Sequence, residues 1–233
     1  MQEFLFNLSE TFKKMSLSDI IINDVSIQPV TQKIKSLKKI FANLTYSHLP
    51  VARDGIYIGS ISETDVRCFD SEKTLEDYLY TLTPFFVKEN ESLLNILRIF
   101  AANDTNLLPV LEEETNAYLG YFELIDIMAV IEKAPFFGEE GNIIVVEKGV
   151  KDYSFSEISQ IVESNDGKIY GSYISNLSDD IVQITIKIGQ SLMSEILQTF
   201  RRYDYKIISE HEEDRFLQNL KERSDYLNKY LNI

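Results

Sequence analysis

Apolar side chains recur along this chain with two different periods, and the change of period divides it. In the first half helical spacing dominates. Ile34, Leu37, Ile40 and Phe41 line one face, and Leu93, Ile96, Ile99 and Phe100 repeat that spacing 59 residues later. Each set leads into a short apolar strand carrying a proline, since Leu49-Pro50-Val51 recurs as Leu108-Pro109-Val110 at the same offset. Beyond it the offset becomes 61, because the turn Arg53-Asp54-Gly55 gives way to the longer Glu112-Glu113-Glu114-Thr115-Asn116. Gly59-Ser60-Ile61-Ser62-Glu63-Thr64-Asp65 then recurs as Gly120-Tyr121-Phe122-Glu123-Leu124-Ile125-Asp126. An insertion confined to a turn is what a duplicated fold tolerates. Residues 16–70 and 75–133 are therefore read as one supersecondary unit used twice. Ahead of them, Phe4, Leu5, Leu8 and Phe12 fall on one face of a short helix or arm over residues 1–15.

The pattern changes after Ala134-Pro135-Phe136-Phe137-Gly138-Glu139-Glu140-Gly141, where proline, glycines and acids predict a boundary. Ile143-Ile144-Val145-Val146 is a continuous apolar run, read as a buried strand. Ser154-Phe155-Ser156-Glu157 is a capping box opening a helix with Ile158, Ile161 and Val162 on one face. A strand over 168–174 and a turn over 176–180 follow. Val182, Ile184, Ile186 and Ile188 alternate with Gln183, Thr185 and Lys187, the mark of a half-buried strand that Gly189 ends. Leu192, Met193, Ile196, Leu197 and Phe200 predict a second amphipathic helix, and 205–209 a last strand. The expected class is thus α/β (α+β), with a ferredoxin-like βαββαβ domain over 141–212. A C-terminal helix over 213–233 presents Phe216, Leu220, Leu227 and Leu231 on one side.

Composition narrows the function classes. The 233 residues are long enough for two domains with separate cores, and no apolar run approaches the length that crosses a membrane. The net charge of −14 is spread over both halves: 12 Lys+Arg against 20 Asp+Glu up to residue 137, then 11 against 17. Without a basic stripe, neither nucleic acid nor an anionic membrane is an expected partner. A single cysteine, Cys68, and no signal-peptide pattern point to the cytoplasm. Cys68 is read as a small buried or half-buried side chain early in a helix. His48 and His211 are too few and too scattered for a metal site, and no nucleophile elbow, phosphate loop or catalytic dyad occurs. The chain is therefore expected not to be an enzyme, and to need no cofactor.

The duplicated unit, with its Pro-Val strands and Gly-x-x-Thr/Ser-x-x-Asp endings, resembles a pair of CBS domains, the Bateman module, over roughly residues 16–133. Repeat one carries that ending in full; repeat two keeps Gly120 and Asp126 but has Glu123 in place of the hydroxyl. The second half resembles an ACT domain, and the whole is similar to acetoin-utilisation-type regulatory proteins. The resemblance implies a homodimer joined through helices, an unidentified regulated protein, and an adenine-containing small molecule such as AMP, ADP, ATP or S-adenosylmethionine. It implies that Ser62 and its helix N-terminus hold a phosphate, that Asp65 and Asp126 accept ribose hydroxyls, and that Gly59 and Gly120 allow close approach. The adenine would lie along Ser47, His48, Leu49 and Pro50.

Read from the residues alone, Ser62 to Asp65 is also a capping box that needs no ligand: Ser62 bonds the Asp65 N–H and Asp65 bonds back to the Ser62 N–H. Glu123 places a negative charge where a phosphate would sit. Two like charges about 4 Å apart repel by several kcal/mol at a dielectric of about 20. Cleft two is thus empty or takes an adenosine-like ligand without phosphate at that point, or Glu123 pairs with Arg98 or a lysine to hold the repeats together. Arg67, Lys33, Lys35, Lys38 and Lys39 are read as solvated helix residues. In the second half the loop 148–154 lacks the Pro-Gly of the ACT ligand site, which favours a structural role. Two functions stand: a non-enzymatic sensor that binds an adenine derivative and changes conformation, and a degenerate dimerisation and interaction module that binds no nucleotide.

Overall fold

The computed structural model describes residues 17–209. The readings for residues 1–15, His211 and the C-terminal helix lie outside them. The described chain divides into two compact units that meet in sequence at Ile131 and Glu132.

In the first unit, repeat one consists of β1 (Gln28–Pro29), α1 (Ile34–Asn43), β2 (His48–Arg53), β3 (Ile56–Ser62) and α2 (Glu63–Cys68). Repeat two consists of β4 (Val87–Lys88), α3 (Leu93–Asn103), β5 (Leu107–Leu111), β6 (Tyr118–Glu123) and α4 (Leu124–Glu132). The register is duplicated as closely as the sequence. Gln28 pairs with Val51 as Val87 pairs with Val110, and a bulge follows each valine. The sheets run β1-β2-β3 and β4-β5-β6.

The two repeats are exchanged at their entries. A 3₁₀ turn at Leu17–Ile20 precedes repeat one yet packs on the core of repeat two, alongside Ile96, Phe100, Leu108 and Ile127. The 3₁₀ helix Leu75–Thr81 precedes repeat two yet closes the core of repeat one around Ile34, Leu37 and Leu49. Each entry then crosses the other repeat's last strand. Ile22 and Tyr121 exchange backbone hydrogen bonds of 2.9 and 2.8 Å, and Ser60 and Thr83 exchange bonds of 2.9 and 3.0 Å.

The second unit has β7 (Asn142–Gly149), α6 (Phe155–Glu163), β8 (Ile169–Leu177), β9 (Ile181–Ile188), α7 (Met193–Arg202) and β10 (Lys206–Ile207). Its sheet runs β10-β7-β9-β8 with every pair antiparallel, the 4-1-3-2 order of a ferredoxin-like βαββαβ fold. Both helices lie on one face, over Ile144, Val146, Val182, Ile184, Ile186 and Ile188. Three expectations change here. Ile143 is exposed, so β7 is buried on one side only. Thr185 and Lys187 of β9 are buried, because the boundary segment is itself a helical turn, α5 (Pro135–Gly138). The Lys187 ammonium lies 3.5 Å from the Phe137 carbonyl, and Phe136 packs edge-on against Tyr173. Cys68, in turn, is exposed, since the six-residue α2 ends at it.

Candidate functional site

In repeat one the strand β3 hands over to α2 at Ser62, whose extended backbone makes it the helix cap. The Ser62 hydroxyl accepts the Asp65 N–H at 3.1 Å and donates to Asp65 Oδ2 at 2.6 Å. The return bond thus comes from the hydroxyl and not from the Ser62 N–H. The Glu63 N–H is taken as well, by the Ser47 carbonyl at 2.8 Å. Two of the first three helix amides are therefore engaged, and the N-terminus offers an anion less than the sequence suggested.

The rest of cleft one is drawn from both repeats. His48 is half-buried, with Nδ1 2.9 Å from the Ser47 hydroxyl and its ring edge-on to Phe85 at 5.3 Å. Burial holds the His48 pKa below its ordinary value, against the pull of Asp65 and of Asp104. Phe85 reaches the cleft because Thr83 crosses Ser60, and the Tyr57 hydroxyl fixes the Phe85 carbonyl at 2.6 Å. Leu49 and Val51 alternate to the opposite side and belong to the core, so Leu49 is no ligand wall, while buried Pro50 shares the His48 side of the strand. Arg67 is bound to Glu63 at 2.6 Å, and the Lys38 ammonium caps the Phe69 carbonyl at 2.7 Å.

Ser47 has a second assignment. Its repeat-two counterpart, 59 residues on, is Asn106, and the two face each other across the pseudo-twofold axis. The Ser47 N–H donates to Asn106 Oδ1 at 2.8 Å, and the Asn106 N–H donates to the Ser47 hydroxyl at 3.2 Å. Asn106 also donates to the Thr45 carbonyl at 2.8 Å. Ser47 thus joins the repeats rather than offering its polar atoms to a ligand. Asn106 was missed, although its offset from Ser47 marked it.

The glycines are spent on the same joint. Gly59 and Gly120 have φ of +150° and +147°. A Cβ on Gly120 would stand 2.2 Å from the Ile22 carbonyl oxygen, and one on Gly59 would stand 3.0 Å from the Leu82 Cβ. The backbone they admit is the other repeat's entry segment.

Cleft two has different chemistry at equivalent positions. Leu107 stands for His48 and is fully buried, and Glu123 stands for Ser62. Glu123 accepts a hydrogen bond from the Tyr46 hydroxyl, not from Arg98, which is turned to Asn95 at 2.8 Å. Tyr46 lies 2.8 Å, oxygen to oxygen, from Tyr121, whose hydroxyl donates to Asp24. Burial, then the neighbouring Asp24, raises the Tyr121 pKa; burial and Glu123 raise that of Tyr46. Asp24, Glu123 and half-buried Asp126 leave this cleft acidic. Tyr46, Tyr121 and Asp24 carried no repeat signature, because repeat one has Ser60 where repeat two has Tyr121.

In the second unit the loop before α6 is closed on itself. The Gly149 carbonyl accepts the Asp152 and Tyr153 amides at 2.9 and 3.2 Å, and Ser154 caps the helix. Lys148 binds Glu157 at 2.8 Å and lies 4.1 Å from the Tyr205 ring centroid. A hollow of about 580 Å³ lies elsewhere in this unit, between Glu139, Glu140, Asp166, Lys168 and Tyr170. Among the described residues no group of three or more His, Cys, Asp or Glu is placed for a metal, and no helix is long and apolar enough to cross a membrane.

Comparison with known proteins finds a CBS domain at residues 76–133 by its family model. That match falls on the repeat that has lost the hydroxyl. No curated protein matches the chain. Among solved structures it is similar to a CBS domain pair/ACT domain protein from Thermotoga maritima, at 18% identity over 52% of this chain and 98% of that one, TM-score 0.46. It is also similar to the CBS domains of a transcriptional regulator from Streptococcus pneumoniae, at 17% identity over 50% and 99%, TM-score 0.44. A third is CbpB in complex with c-di-AMP, at 21% identity over 56% and 93%, TM-score 0.41.

Proposed function

We propose that the first unit is a non-enzymatic sensor that binds an adenine nucleotide or adenosine derivative in cleft one and transmits its state by a change in the arrangement of the repeats. The observation that carries this reading is the meeting of two rings, His48 and Phe85, with the Ser62–Asp65 pair at one strand-to-helix junction. An aromatic edge and an apolar strand suit a base, and a carboxylate with one oxygen outside the Ser62 contact accepts a ribose hydroxyl. Phe85 belongs to the entry of repeat two and Asp65 to repeat one. A ligand that touches both binds one arrangement of the repeats better than another, which is the physical requirement for a signal.

In cleft two, Glu123 and Asp24 disfavour phosphate, so this side is empty or takes an uncharged or cationic adenosine derivative such as S-adenosylmethionine. The second reading, an interaction module that binds no nucleotide, is favoured by one observation: Ser62, Asp65 and the Glu63 amide already satisfy one another or Ser47. A thermal-shift panel of AMP, ADP, ATP, adenosine, S-adenosylmethionine and c-di-AMP decides between them. A ligand at 100 times its Kd adds about 2.7 kcal/mol. A rise of several degrees with an adenine compound in the wild type, lost in Asp65→Ala, supports the sensor. No rise with any compound supports the interaction module.

A further inference from the structure

Tyr57 of β3 and Tyr118 of β6 hold the same place in the two repeats, 61 residues apart. The same offset relates Ser60 to Tyr121 and Ile22 to Thr83, the residues at which the entry segments cross. Each tyrosine hydroxyl lies against a backbone carbonyl of the other repeat's entry. Tyr57 is 2.6 Å from that of Phe85, and Tyr118 is 3.5 Å from that of Val25. The first contact is the better supported. Tyr57 and Ser60 are both buried, and their hydroxyl oxygens are 3.0 Å apart. A carbonyl only accepts and a phenol has one proton, so Tyr57 donates to Phe85 and Ser60 donates to Tyr57. Burial raises the Tyr57 pKa, which keeps that proton in place at neutral pH. Around Tyr118 the partners differ: Tyr121 stands for Ser60 and donates to Asp24, and Asp24 itself stands for Phe85.

We propose that Tyr57 is the positioning residue for the base in cleft one, and that it acts through the Phe85 ring. The inference rests on the reading of cleft one as an adenine site. The entry of repeat two is anchored at three backbone groups: the N–H and carbonyl of Thr83 both bond Ser60, and the carbonyl of Phe85 bonds Tyr57. The Ser60 bonds fix where the segment crosses β3. The Tyr57 bond fixes the backbone two residues on, at Phe85, from which the ring departs. That ring packs on the core of repeat two and meets His48 edge-on at 5.3 Å. Without the Tyr57 hydroxyl, the Phe85 carbonyl and the Ser60 hydroxyl are buried and unpaired, a cost relieved when the segment shifts. A gap of about 0.5–1 Å already forfeits a quarter to a half of a van der Waals contact, so a small shift of the ring is felt by a base. In repeat two, where Asp24 takes the place of Phe85, Tyr118 has no ring to place.

Adenosine affinity, measured by titration calorimetry on the full-length chain, tests the assignment in a double-mutant cycle. Tyr57→Phe keeps the ring that packs edge-on to Phe86 at 6.1 Å, so the variant folds. Tyr57→Phe and Phe85→Leu should each weaken adenosine about fivefold to tenfold. The double variant should bind no more weakly than Phe85→Leu alone, because the hydroxyl acts only through the ring. Tyr118→Phe, the matching change in repeat two, should bind as the wild type does. Unaltered affinity in Tyr57→Phe would overturn the proposal. So would losses that multiply in the double variant, or an equal loss in Tyr118→Phe, since both assign the hydroxyl to the general stability of the joint. A second readout needs no ligand. The chain has two histidines, and the His48 C2–H proton resonance, identified by its loss in His48→Leu, should move in Tyr57→Phe and stay in Tyr118→Phe. A resonance unmoved in Tyr57→Phe would show that Phe85 is held without Tyr57, and would overturn the proposal. A wild type that binds neither adenosine nor AMP overturns the adenine reading itself, and the proposal with it, whatever the resonance does.

Discussion

Gly120 and Gly59 are where a single added methyl group should be felt most, and unequally. Both sit at a φ that side-chain-bearing residues rarely adopt, but the new Cβ would clash with the Ile22 carbonyl oxygen at 2.2 Å at Gly120, whereas at Gly59 the Thr83 carbonyl oxygen stands 3.4 Å away. A strained backbone position costs roughly 1–3 kcal/mol, and displacing the crossing strand adds to it. Urea unfolding should therefore show Gly120→Ala losing about 3 kcal/mol or more and Gly59→Ala about 1–2 kcal/mol. His48 gives a pH signature. Burial lowers its folded pKa below the unfolded value near 6.5, so the unfolded chain takes up the proton first. Stability then rises with pH through that region and falls as pH drops below about 6.5. In His48→Leu, which copies the Leu107 of repeat two, the melting temperature between about pH 5 and 7 should depend less on pH than in the wild type.

Among the elements, the joint between β2 and β5 carries the clearest expectation. Asn106→Ala leaves the Ser47 N–H without its acceptor and the Thr45 carbonyl without its donor, a loss of about 1–3 kcal/mol. Ser47→Ala keeps its N–H bonded to Asn106 and should cost less, by the same urea titration. The elements themselves were legible because duplication writes them twice: the offsets of 59 and 61 place both helices, both Pro-Val strands and the turn between them. The βαββαβ order was legible from its change of period. What could not be read was anything that depends on which repeat touches which. Leu49 looked like a ligand wall because a strand's pattern does not say which side faces the core. Gly59 and Gly120 looked like ligand-facing glycines because the crossing of Ile22 and Thr83 is a long-range contact with no local signature. Tyr46 and Asp24 became visible only when Tyr121 brought them together, and Phe85 only when Thr83 crossed Ser60.

At the level of the whole molecule, the exchange of entry segments makes each cleft the property of both repeats, and the exchanges of His48 for Leu107, Ser60 for Tyr121 and Ser62 for Glu123 make the two unlike. Cleft one has a serine hydroxyl, a histidine and a phenylalanine; cleft two has Glu123 and Asp24 tied through two tyrosines. On the proposed function, cleft one tolerates phosphate and cleft two repels it. Titration calorimetry with whichever adenine nucleotide raises the melting temperature counts the sites directly. One site per chain is expected, abolished by Ser62→Glu, which gives cleft one the carboxylate of cleft two. Two equivalent sites per chain, or a single site that survives Ser62→Glu, would contradict it.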